Sequence, residues 1–61
     1  MGYEADTAKR YRVHAEELRT IADTDRHEQT RQALVKIAHD YEDMATTFEQ
    51  IERTNRAVGK G

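Results

Sequence analysis

The sequence predicts an all-α protein: a two-helix antiparallel hairpin, with helices at about 6–23 and 26–56, assembling as a homodimeric four-helix bundle. Two stretches carry apolar residues at alternating spacings of three and four, the period of one helix face. Proline is absent, and the three glycines sit at positions 2, 59 and 61, so nothing breaks a helix between them. The chain has only 61 residues, too few to build a large core alone.

The first helix is read from Ala8, Tyr11, Ala15, Leu18 and Ala22, with Ile21 beside them. A turn is expected over residues 23–25, where Asp23, Thr24 and Asp25 compete with the helix for backbone hydrogen bonds; with no Gly or Pro there, one continuous helix is the alternative. Asp25 followed by Glu28 resembles a capping box and starts the second helix near Arg26. That helix carries the stronger signal: Leu34, Ile37, Tyr41, Met44, Phe48 and Ile51 are spaced 3, 4, 3, 4, 3, with Ala38 and Ala45 widening the stripe. The whole of 1–61 is one small domain, with flexible ends expected at 1–4 and 57–61.

Folding back at residues 23–25 sets Tyr11 opposite Ala38, Ala8 opposite Tyr41 and Ala15 opposite Leu34. Large meets small in each layer, which lets facing helices interdigitate. The expected hairpin core is Tyr11, Ala15, Leu18, Ile21 and Ala38. At 1.5 Å per residue the first helix spans about 27 Å and the second about 46 Å. The first then ends opposite residues 43–46, leaving Phe48 and Ile51 uncovered. Burying such side chains is worth about 1.5–3 kcal/mol each, so an uncovered row is a contact surface. The expected dimer interface is therefore Leu34, Ile37, Tyr41, Met44, Phe48 and Ile51.

Composition narrows the function. Ten basic and twelve acidic residues make a net charge of −2 with neutral histidines. No cysteine is present for a disulfide, a thiolate metal site or a cysteine nucleophile. No apolar run reaches the ~18 residues of a membrane span. No signal peptide is recognisable, and Met1-Gly2 lacks the Ser or Thr at position 6 of a myristoylation signal. These features predict a soluble, cytoplasmic protein. Serine and a Gly-rich phosphate loop are both missing, and Glu16 and Glu17 point about 100° apart on a helix. No catalytic activity is expected.

Metal binding has weak support. His14, His27 and His39 lack the Glu-x-x-His pairing of di-iron bundles and the H-E-x-x-H motif. No metal or other cofactor is expected. Lys9, Arg10 and Arg12 around Tyr11 could grip phosphate, but the chain is net acidic and offers no broad basic stripe. A nucleic-acid-associated regulator and a metal- or ligand-binding bundle are the alternative readings. The leading expectation is a small non-enzymatic protein–protein interaction module, pairing with itself and possibly with another protein.

Residues 11–45 also carry a recognisable string. Tyr11-Arg12-x-x-Ala15-Glu16-Glu17-Leu18-Arg19-x-Ile21-Ala22 is followed by Leu34-x-x-Ile37-Ala38-x-Asp40-Tyr41-Glu42-x-Met44-Ala45. It resembles short uncharacterised bacterial helical-hairpin proteins, common in alphaproteobacteria. Those often carry Asp-Pro where this chain has Asp25-Arg26. The resemblance implies a helical hairpin inside the cell and brings no catalytic or ligand-binding residues.

Overall fold

A computed structural model describes residues 3–60 and contains two helices, α1 (Tyr3–Thr24) and α2 (Glu28–Lys60). The pair forms an antiparallel hairpin. The long axis measures 52 Å, which is the ~50 Å expected of α2's 33 residues. The radius of gyration is 14.7 Å, against about 10.5 Å for a compact domain of this length. No described helix is long and apolar enough to cross a membrane.

Both helices are longer than expected. α1 begins at Tyr3 instead of position 6, with Glu4 and Asp6 in its first turn, where acidic side chains offset the positive end of the helix dipole. α2 continues through 57–60. Tyr3 and Glu4 at one end and 57–60 at the other, expected as flexible ends, are thus helical, while positions 1, 2 and 61 lie outside the described residues.

The connection is residues 25–27, slightly later than 23–25. Thr24 stays helical and its hydroxyl donates to the Ile21 carbonyl at 3.0 Å. Asp25 Oδ1 accepts the His27 amide at 2.7 Å, satisfying one of the donors exposed at the start of α2. The first helical hydrogen bond runs from the Arg31 amide to the His27 carbonyl. Glu28 does not reach back as in a capping box; its carboxylate takes Arg31 at 3.3 Å and Gln32 at 3.1 Å instead. Among the described residues no non-glycine has a positive φ, so the turn needs no glycine.

The helix register differs from the expected one by a full heptad. Tyr11 lies between Tyr41 and Phe48, its ring 5.4 Å from the first and 5.6 Å from the second, edge-on to both. Its layer is therefore centred on Ala45 and not Ala38. The same shift carries Ala8 from Tyr41 to Phe48 and Ala15 from Leu34 to Tyr41. The size alternation survives, because both stripes repeat every seven residues.

The seam is built on alanine. Ala8, Ala15, Ala22, Ala38 and Ala45 are buried, and no side chain larger than alanine is fully buried among the described residues. Small residues every seventh position let the two backbones approach closely. To bury Ala38 and Ala45, α2 turns by roughly 60° from the orientation its apolar stripe implies. Leu34, Tyr41 and Phe48 stay half-buried in the seam, while Ile37, Met44 and Ile51 swing onto its edge and remain about 40% exposed.

Two expectations fall with this geometry. Phe48 does not overhang, since Tyr11 of α1 covers it. Ile21 is 50% exposed and not in the core, because Ala22, the next residue and 100° further round the helix, takes the seam position.

Candidate functional site

On each helix, the residue following a large seam residue lies on one flank, and the residue preceding a buried alanine lies on the other. The first flank carries charge. Arg12, after Tyr11, meets Glu49, after Phe48. Arg12 Nε and Nη2 donate to the two carboxylate oxygens at 3.0 and 2.7 Å. Arg19, after Leu18, meets Glu42, after Tyr41, with donor distances of 3.1 and 2.9 Å. These are parallel two-point ion pairs, one heptad apart, in the geometry that suits guanidinium to carboxylate. His39 Nδ1 lies 3.7 Å from Glu42 on the same side.

The pairing shifts both partners. The hydrogen bond from Arg12 holds the Glu49 carboxyl below the ordinary glutamate range, and the Arg19 hydrogen bond does the same to Glu42. In return both guanidiniums are held more firmly protonated. Both pairs cross between the helices, so the local i,i+4 spacing that reveals pairs along one helix does not reveal them. The available signal is the matched spacing: Arg12 and Arg19 are seven apart, and so are Glu42 and Glu49.

The second flank is apolar. Ile37, Met44 and Ile51 recur every seven residues along α2, and Val58 extends the row to 73% exposure. From α1, Ile21 joins its edge. The half-buried rings of Tyr41 and Phe48 border the same side, with His14 5.6 Å from Tyr41. The six residues assigned to a dimer interface thus divide into two rows. Leu34, Tyr41 and Phe48 hold α1, while Ile37, Met44 and Ile51 form an open face.

The remaining candidates are scattered. Lys9, Arg10 and Arg12 do not form a free basic cluster, since Arg12 is occupied by Glu49. His14 contacts Glu17 at 3.4 Å and His27 contacts Asp25 at 3.2 Å, at opposite regions of α1 and the turn. Among the described residues, no three of His, Asp or Glu gather closely enough to hold a metal ion. Shallow surface depressions occur beside Lys9, Arg12 and Glu16 and beside Thr47, Gln50 and Ile51. The chemistry this surface offers is therefore apolar contact along one flank. Comparison with protein-family models, curated proteins and solved structures finds no match to the chain.

Proposed function

We propose that the chain is a small non-enzymatic helical interaction module of the cytoplasm, and that its primary partner is a second copy of itself, giving a dimeric four-helix bundle. The row Ile37, Met44 and Ile51 carries this reading. Three large apolar side chains at heptad spacing lie exposed beside a seam in which nothing larger than alanine is fully buried. Hairpins of this size need further burial to be stable, and a two-fold pairing supplies it with a closed assembly.

Surface area supports the same reading. Compact monomers of 7.1 kDa expose about 4,100 Å², whereas this hairpin exposes 4916 Å². The excess, about 800 Å², is what a standard interface removes from one partner. The engagement of Arg12 by Glu49 counts against the nucleic-acid reading, which needs that side chain free.

Light scattering on size-separated wild type and Met44→Asp tests the proposal. The expected result is a dimer for the wild type and a less stable monomer for the variant. A wild type that elutes only as a folded monomer overturns it.

A further inference from the structure

The rim of the apolar row carries information about how a second copy sits. Lys36 and Asp43 lie one heptad apart on the same side of it, the side away from α1. The Lys36 side chain is 78% exposed, with a 3.4 Å contact to Asp40. The Asp43 carboxylate has no ion pair among the described residues. Packed parallel about a two-fold axis, two α2 helices set the Lys36–Asp43 rim of each against the Tyr41–Phe48 rim of the other, and neither charge meets its opposite. Packed antiparallel about a two-fold axis, they set Lys36 of each copy on Asp43 of the other, twice.

We infer that the protein dimerises by antiparallel packing of α2 on α2 along the Ile37–Met44–Ile51 row, in the register that joins Lys36 to Asp43 across the two-fold axis. This rests on the self-association proposed above and adds its orientation and register.

That register agrees with the shape of the row. It brings Ile37 of one copy towards Thr47 of the other, where Thr47, Gln50 and Ile51 line a shallow depression. It brings Ile51 towards Ala33. Large faces small in these two outer layers, and in the central layer Met44 faces Asp40, whose carboxylate contacts Lys36 of its own helix. On the opposite rim it draws Tyr41 of one copy towards Phe48 of the other, closing the half-buried rings away from water. One rim of the interface is thus charged and self-complementary, and the other is apolar and continuous with the hairpin core. A second copy fits because the pattern complements itself under a two-fold rotation. An unrelated partner would have to supply the mirror arrangement of charge.

The absence of native cysteine allows a direct test. Lys36→Cys and Asp43→Cys chains are mixed in equal amounts in a glutathione redox buffer, and the disulfide-linked species are quantified at equilibrium. The antiparallel register predicts the mixed Lys36→Cys/Asp43→Cys disulfide in several-fold excess over its statistical share. A mixed disulfide at or below its statistical share, with wild type dimeric by sedimentation, overturns the orientation while leaving self-association intact. No linked species above that found under denaturing conditions, with wild type monomeric by sedimentation, overturns both. A second arm uses charge alone. Lys36→Glu and Asp43→Lys each weaken the wild-type dimer about tenfold, and the double exchange restores it. Equal weakening by the double exchange overturns the register.

Discussion

The Arg12 guanidinium grips the Glu49 carboxylate through two hydrogen bonds across a sequence separation of 37 residues. Arg19 and Glu42 repeat the arrangement one heptad along the hairpin. Apolar layering alone does not choose between offsets that differ by seven residues, because each keeps large opposite small. Charge does choose. Slipping α2 by one heptad would leave Arg12 on Glu42 but set Arg19 against Val35 and leave Glu49 unpaired. The two pairs therefore act as a register device, a role for which paired charges are well suited.

Reversing one partner should expose this role. Arg12→Glu is expected to lower the melting temperature by several degrees at fixed protein concentration, and combining it with Glu49→Arg should recover most of the loss. Thermal unfolding followed by circular dichroism at low salt checks both. A double variant no better than the sum of its parts contradicts the coupling.

Acid should weaken the hairpin through the same groups. Glu42 and Glu49 have folded-state values below the ordinary glutamate value. Their contribution is present above that ordinary value, about 4.3. It is lost as pH falls through the lowered folded values. Urea midpoints measured from pH 7 downward should hold steady to about pH 5 and then decline. Replacing both residues with glutamine should flatten that decline.

The alanine seam leaves no room for growth. Ala45 is 0% exposed and sits in the layer of Tyr11. Ala45→Leu should force the helices apart and cost about 1–3 kcal/mol, read as a lower urea midpoint. The same exchange at Ala57, an exposed position on α2, leaves the seam untouched and serves as the comparison for helix propensity.

Tyr11 joins the two halves of the aromatic cluster. Removing its ring in Tyr11→Ala should cost about 2–3 kcal/mol, since each aromatic pair contributes about 0.5–1.5 kcal/mol beyond its buried area. Tyr11→Phe keeps both edge contacts and should stay within about 0.5 kcal/mol of wild type by the same urea titration.

Much of this architecture is legible in the residues. The 3,4 spacing of Ala8 to Ala22 and of Leu34 to Ile51 specifies two amphipathic helices, and Asp25 marks the turn that divides them. The rotation of α2 is less visible. A stripe of Leu34, Ile37, Tyr41, Met44, Phe48 and Ile51 reads as a single face, yet alanines at 38 and 45 permit a closer helix approach and pull the seam round towards themselves. Hydrophobicity ranks alanine low, so the row that packs most tightly carries the faintest signal. The register is hidden for a related reason: a seven-residue repeat looks the same after a seven-residue slip. The expected overhang at Phe48 failed with it. The unpartnered apolar surface lies beside the seam and not beyond its end.

Sedimentation equilibrium of the wild-type chain, from low micromolar to submillimolar concentration, tests most directly whether Ile37, Met44 and Ile51 hold a second copy. A reversible rise in mass to twice 7.1 kDa, abolished by Met44→Asp, is the predicted result. A constant 7.1 kDa across that range, with a cooperative thermal transition, contradicts it.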